Sequence, residues 1–202
     1  MRQQLTWLNQ PPKSVSSPSP DTPSAVHGLG AGVIRVRTGD KTDFWRETFY
    51  GFVRDNGHFL SAEVTGDFSA SVTVRGRYEA LYDQAGLMIR IDERQWIKCG
   101  VEFTDGAQHF SAVVTRGHSD WSVVRLDGNP ESIDLRLTRH GEAVRVQFRV
   151  HAGPWQLARL AYLPRADPVR VGLMCCSPQR AGFELEFSDF AIGPAIARGL
   201  HQ

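Results

Sequence analysis

The sequence predicts an all-β fold, a two-sheet antiparallel sandwich. Three observations carry that expectation: apolar and polar residues alternate in run after run, turn dipeptides fall between the runs, and no long amphipathic helix interrupts them. A parallel α/β arrangement would need crossover helices, for which the chain has no pattern.

The alternation starts just after residue 31. In GVIRVRTG, Ile34 and Val36 share one face and Arg35 and Arg37 the other. DFSASVTVRG sets Phe68, Ala70, Val72 and Val74 opposite Ser69, Ser71 and Thr73. SIDLRLTRHG aligns Ile133, Leu135 and Leu137, and AVRVQFRV aligns Val144, Val146, Phe148 and Val150. VRVGLMCC and FELEFSDF continue the pattern. Period-two patterning of this kind belongs to half-buried strands, and about eight to twelve short strands are expected. Asn56-Gly57, Asp105-Gly106, Asp127-Gly128 and His140-Gly141 lie between runs and supply the positive φ that tight hairpins need. GLGAG at 28–32 follows no apolar strand and precedes no helix, so it reads as a loop and not as a nucleotide fingerprint.

The 202 residues suffice for one large β-domain, and residues 1–202 read as a single sandwich. Within it, residues 11–24, PPKSVSSPSPDTPS, cannot form helix or central strand and are expected as an irregular segment laid over the domain. A formal net charge of +1 and the lack of a basic cluster argue against nucleic acid and membrane surfaces as partners. The first twelve residues lack the apolar core of a signal peptide, and no run approaches the roughly 20 apolar residues of a membrane span. Cys99, Cys175 and Cys176, odd in number and two of them adjacent, fit buried thiols in a reducing compartment better than a disulfide framework, so a cytoplasmic location is expected.

Residues 82–122 carry the functional signal. In the first run Ala85, Leu87, Ile89 and Ile91 make one apolar face, and the opposite face carries Gln84, Gly86, Met88 and Arg90. After a turn at Asp92-Glu93-Arg94 the return run buries Ile97, Cys99, Val101 and Phe103 and presents Trp96, Lys98, Gly100 and Glu102. Paired in mid-sheet, the second faces form one surface, with the glycines hollowing a floor beneath an aromatic, a lysine, a glutamate, an amide and an arginine. Asp120 and Trp121 in SDWS, together with Asp43, Trp45, Arg46 and Tyr50 in TDFWRETFYG, are expected at its rim. Rings beside carboxylates, amides and cations suit sugars, whose C–H faces stack while their hydroxyls take directed hydrogen bonds. The expected ligand-binding set is Gln84, Arg90, Trp96, Lys98, Glu102, Asp120, Trp121, Asp43 and Trp45. Were the site catalytic, Glu102 would act as general acid or base with Asp120 or Asp83 as its partner, across a cleft of roughly 5–10 Å.

The runs YDQAGLMIRID, WIKCGVEF and SDWS, with TDFW upstream and CCSP at 175–178, resemble the regulation-of-enolase protein family, a domain of unknown function in the concanavalin A-like lectin/glucanase superfamily. The resemblance spans Trp7 to about Ile192. It implies a jelly-roll sandwich with the candidate site on its concave sheet, it implies no reaction, and the family name hints at sugar metabolism. The E-x-D-x-x-E and E-x-D-x-E patterns of the superfamily's laminarinase-type glucanases are absent, as are legume-lectin metal loops.

Nothing else in the chain spells a chemistry. There is no GxSxG elbow and no P-loop. The seven histidines lack the i, i+4 spacing of a zinc helix, and His118, the one near the expected face, reads as an exposed loop residue. No cofactor and no metal are expected. Three readings follow: a module binding a small carbohydrate or sugar derivative, a regulatory partner of a metabolic enzyme, and a glycan-active enzyme using Glu102.

Overall fold

The structure is a computed structural model that describes residues 4–17 and 29–200. Among the described residues there are seventeen strands: β1 (Thr6–Leu8), β2 (Lys13–Ser17), β3 (Leu29–Ala31), β4 (Val33–Arg37), β5 (Phe44–Arg46), β6 (Val53–Asp55), β7 (His58–Val64), β8 (Phe68–Gly76), β9 (Gln84–Asp92), β10 (Gln95–Thr104), β11 (Ala107–Arg116), β12 (His118–Arg125), β13 (Ile133–His140), β14 (Ala143–Val150), β15 (Gln156–Tyr162), β16 (Val169–Cys176) and β17 (Glu184–Pro194). All pair antiparallel. One sheet runs β1-β7-β16-β9-β10-β11-β12 and the facing sheet β15-β14-β13-β8-β17-β4-β2, with β3 also on β17. The fold is the expected two-sheet antiparallel jelly-roll sandwich.

The alternation read from sequence places the core. Ala85, Leu87 and Ile89 with Ile97, Cys99 and Val101 face Val72, Val74, Leu135, Leu137 and Val146 of the other sheet in one apolar cluster. Phe110 and Phe148 stack across the layers, ring centroids 4.5 Å apart. Phe103, expected inside, is only half-buried. In FELEFSDF the alternation breaks: a bulge lies between Ser188 and Ala191, with Asp189 at φ 54°. The extra residue lets Phe187 and Phe190, an odd and an even position, both reach the core.

Several expectations need correction. Lys13–Ser17, inside the segment expected to be irregular, is an edge strand on β4, a place that a proline-flanked run tolerates because only one side must pair. Residues 18–24 lie outside the described residues. Leu29–Ala31 of the expected GLGAG loop pair with β17. Asp105 and Gly106, at φ 51° and 70°, close the β10–β11 hairpin as expected. Gly57 has no positive φ; a Cβ there would run into the Phe44 ring, so close packing is what requires glycine. Strand number exceeds the expected range because β1, β2 and β3 add short edge pairings to the two sheets and β5 and β6 form a separate hairpin.

Gly86 and Gly100 are cross-strand partners. A Cβ on Gly86 would run into the Cys99 carbonyl and one on Gly100 into that of Ala85. Beyond hollowing a floor, they let two backbones close in beneath the outer face. Gly100→Ala should therefore cost ~1–3 kcal/mol in a denaturant titration, whereas Gly193→Ala, with nothing near its added methyl, should leave the midpoint within about 0.5 kcal/mol of wild type.

His58 joins the N-terminal strand region to the sheet. Its Nδ1 lies 2.6 Å from the Asn9 carbonyl and its Nε2 accepts the Gly39 N–H at 2.9 Å, which fixes the neutral Nδ1–H tautomer. Burial lowers its pKa below the usual 6.5, the Asn9 carbonyl opposing. Below pH 6.5 the unfolded imidazole takes up a proton that the folded one refuses, so stability present above that pH is lost as pH falls toward the folded value. Thermal unfolding should show a slope of at most about 1.4 kcal/mol per pH unit from this group. His58→Gln should abolish it and cost ~1–3 kcal/mol at pH 7.5.

Candidate functional site

The outer face of the seven-stranded sheet, turned away from the main core, carries the site. Strand pairing brings Gln84, Gly86, Met88 and Arg90 of β9 and Trp96, Lys98, Gly100 and Glu102 of β10 onto it, beside His109, Ser111, Val113 and Thr115 of β11. Trp121 on β12 lies opposite Val113. The expected hairpin parity is therefore present, yet half of this face is covered. The two-stranded β5–β6 hairpin folds over it as a flap, and Phe44 and Trp45 join Phe59, Met88, Trp96, Val113, Met174 and Cys176 in a second apolar cluster.

Charges pin the flap. Arg90 clasps Asp55 at the flap's end through two hydrogen bonds of 2.7 and 2.9 Å, and its guanidinium lies over the Phe44 ring. Lys98 Nζ donates to Asp43 Oδ1 at 3.2 Å, and Asp43 also takes the Phe44 N–H at 2.8 Å. Arg46, expected at the rim, instead donates its backbone N–H to Ser119 Oγ and its Nε–H to the Gly117 carbonyl.

Beside the flap a cavity of about 300 Å³ remains open. Gln84, Lys98 and Glu102 rise from the sheet, and Trp45, Tyr50, Phe52, Tyr82 and Trp121 supply aromatic walls. The Tyr50 and Tyr82 hydroxyls share a 2.8 Å hydrogen bond, and this bond ahead of burial pushes the Tyr82 phenol up to about 12. Trp121 Nε1–H donates to Glu102 Oε2 at 3.3 Å and to Ser111 Oγ at 3.1 Å. Burial raises the Glu102 carboxyl above the usual carboxylate value, with Lys98 opposing. Burial acts downward on Lys98, but Asp43 first among its anionic neighbours leaves the ammonium above its usual value. A carboxyl whose ionisation burial disfavours and a firmly charged lysine thus share one floor, which can hold polar groups but holds Lys98 far from nucleophilic use.

Of the expected ligand-binding residues, Asp43, Trp45, Gln84, Lys98, Glu102 and Trp121 line the cavity. Arg90 does not, being spent on Asp55. Trp96 is 1 % exposed, packed edge-on against Phe44 at 6.2 Å, and offers no stacking plate. Asp120 points the other way: it lies opposite Val114 of the main core face and ion-pairs with Arg159 of β15 at 3.2 Å. Adjacent strand residues face opposite sides of a sheet, so Trp121 in the cavity excludes Asp120 from it. Glu102 and Asp120 accordingly cannot act as an acid–base pair. Asp83 is no substitute, since it is buried under Ser177 Oγ (2.7 Å) and Arg180 (2.6 Å). His118 begins β12, exposed, beside Glu47 at 3.3 Å. The three cysteines are buried and free, and burial pushes the Cys99 thiol up to about 12. Among the described residues no group of three or more His, Cys, Asp or Glu side chains is placed to hold a metal ion.

Lys41, Phe52, Arg54, Tyr82, Val113, Pro178 and Gln179 also line the cavity and were missed from sequence. The available signal was aromatic density: Phe44, Trp45, Phe49, Tyr50 and Phe52 crowd a stretch that must turn.

Glu102→Gln separates the carboxylate's cost from its packing. Because its folded pKa is raised, the native state binds this proton more tightly than the unfolded chain, and stability falls as pH climbs from about 4.5 through the folded value. The variant keeps an acceptor for Trp121, and Lys98 keeps Asp43. Its melting temperature relative to wild type should therefore rise between pH 4 and pH 8; a difference that is flat over this range would show Glu102 ionising as it does in water.

Comparison with known proteins places this geometry in a family. The chain is 44 % identical over 198 residues to the Saccharomyces cerevisiae protein called Regulation of enolase protein 1, covering 98 % of this chain and 93 % of that one. A crystal structure of a functionally unknown protein from Saccharomyces cerevisiae superposes with a TM-score of 0.85 at 42 % identity, over 96 % of this chain and 98 % of that one. More distant likenesses show the fold alone. A xylan β-1,4-xylosidase from Bacillus halodurans matches with a TM-score of 0.62 at 15 % identity, over 80 % of this chain and 32 % of that one. The CBM2 module of a Lactobacillus casei phage Dit protein matches with a TM-score of 0.53 at 12 % identity, over 98 % and 97 %. The family model that matches residues 21–195 is that of a protein of unknown function, DUF1349, and the chain belongs to that family.

Proposed function

We propose that the protein is a binding module for a small carbohydrate or sugar derivative, held in the cavity between the flap and β9–β12. The observation that carries this reading is the combination of a 300 Å³ cavity, aromatic walls and a polar floor of Gln84, Lys98 and Glu102. Rings such as Trp121 and Tyr82 can take the C–H face of a pyranose, and the floor can take its hydroxyls. The loss of Asp120 as a partner for Glu102 favours binding over hydrolysis.

A second reading has its own observation. Phe49, 93 % exposed at the tip of the flap loop, and Val53 and Leu81, also exposed, offer more apolar surface than one sugar needs. This favours docking of a metabolic enzyme at the same end of the molecule, in keeping with the yeast relative's name.

Isothermal titration against a panel of mono- and oligosaccharides and their derivatives tests the first reading. Wild type should bind at least one class, and Trp121→Ala should weaken it about tenfold, ~1.4 kcal/mol. Silence across the panel would reject it, and a stable complex with an enzyme, blocked by Phe49→Ser and indifferent to sugars, would favour the second.

A further inference from the structure

The charges lining the cavity are not balanced toward its mouth. Inside, Asp43 is engaged by Lys98 at 3.2 Å, and Glu102 is buried beneath Trp121. Two further cations line the same cavity, Lys41 just before the flap and Arg54 on its second strand. Both residues are exposed, and neither ion-pairs with a carboxylate among the described residues. Arg54 lies over the Phe52 ring, its guanidinium carbon 5.0 Å from the ring centre, and Phe52 also lines the cavity. The lining thus holds three cations, Lys41, Arg54 and Lys98, against two carboxylates, Asp43 and Glu102, and neither carboxylate ion-pairs with Lys41 or Arg54.

We infer that the ligand is an anionic sugar, with its ring against Tyr82 and Trp121 and its phosphate or carboxylate between Lys41 and Arg54. The inference rests on the sugar-binding reading and narrows it. A neutral sugar would leave both cations idle. A planar guanidinium already lying over Phe52 loses little freedom when it grips an oxyanion in a two-pronged contact, and a lysine adds a point charge beside it. Burial of Glu102 works in the same direction, since a carboxyl held above its usual value repels an incoming anion less than an ionised one would. Phosphate and carboxylate make the same demand on the two cations; size and charge number separate them.

Titration of the full chain with glucose, glucose 6-phosphate, glucuronate and inorganic phosphate decides the matter. An anionic sugar should bind at least tenfold more tightly than glucose at low salt, and that ratio should shrink in 0.5 M sodium chloride. Lys41→Gln/Arg54→Gln should bring the ratio toward one, while Lys41→Arg/Arg54→Lys, which keeps both charges, should retain most of it. Both positions are exposed, and circular dichroism and melting temperature check that the variants fold. Glucose binding as tightly as the anionic sugars would overturn this inference and leave the sugar-binding reading intact. Inorganic phosphate binding as tightly as the sugar phosphate would overturn it as well, because the ring would then contribute nothing. No binding of any sugar, in this set or in the wider panel, would remove both.

Discussion

The flap's attachment to the sheet is the constraint on which the rest of this site depends. Two basic side chains, Arg90 and Lys98, rise from neighbouring strands of the seven-stranded sheet and hold Asp55 and Asp43, which lie together at the open end of the β5–β6 hairpin. Both cations are buried while their carboxylates are half-buried, so breaking either pair should cost more than the ~0–1 kcal/mol of an exposed pair and less than the ~3–5 kcal/mol of a fully buried one. Phe44 then packs on Trp96, and Gly57 has no side chain because the Phe44 ring occupies the space. The cavity is what remains of the outer face once this plug is seated.

Much of the architecture is visible in the alternation of the strands. Ala85, Leu87 and Ile89 on one side, and Gln84, Met88 and Lys98 on the other, follow from period two alone. Tertiary cover does not. Trp96 and Arg90 share a face with Lys98 and Glu102, and nothing in their spacing says that Phe44, some fifty residues earlier in the chain, will lie across one half of the hairpin and leave the other half open. The Asp120 error has a different origin. As a rim segment SDWS would let both Asp120 and Trp121 look inward, but it lies within β12, where neighbouring residues must face opposite ways. Tyr82 and Arg54 were invisible for a simpler reason: each reaches the cavity from a segment that no period describes, Tyr82 from a left-handed turn at φ 66° and Arg54 from a three-residue strand.

The same flap also holds the conformational strain of the region. Glu47, Phe49 and Gly51 have φ of 61°, 64° and 69°. For the two non-glycine residues the left-handed region costs about 1–2 kcal/mol each. Local bonds hold it in place: Glu47 N–H donates to the Phe52 carbonyl at 2.7 Å, and Trp45 Nε1–H donates to the Thr48 carbonyl at 2.9 Å. Tyr50 reaches across to Tyr82 and stacks on Phe52, ring centroids 5.4 Å apart. One loop therefore sets the aromatic wall and the position of the ring under Arg54.

This arrangement ties the lining of the cavity to the packing of the flap. A sandwich whose only task was stability would gain from apolar side chains where Arg90, Lys98 and Glu102 stand, since well-packed hydrophobic groups commonly equal or better a buried ion pair. Here those charges occupy the outer face, where Lys98 and Glu102 each do two things: they bind parts of the protein (Asp43 and Trp121) and they present their remaining hydrogen-bonding capacity to the cavity. Because Asp43 anchors the flap and Trp45, Phe52 and Arg54 belong to it, a ligand drawing on Lys98 would bear on the bond that holds the cavity's wall.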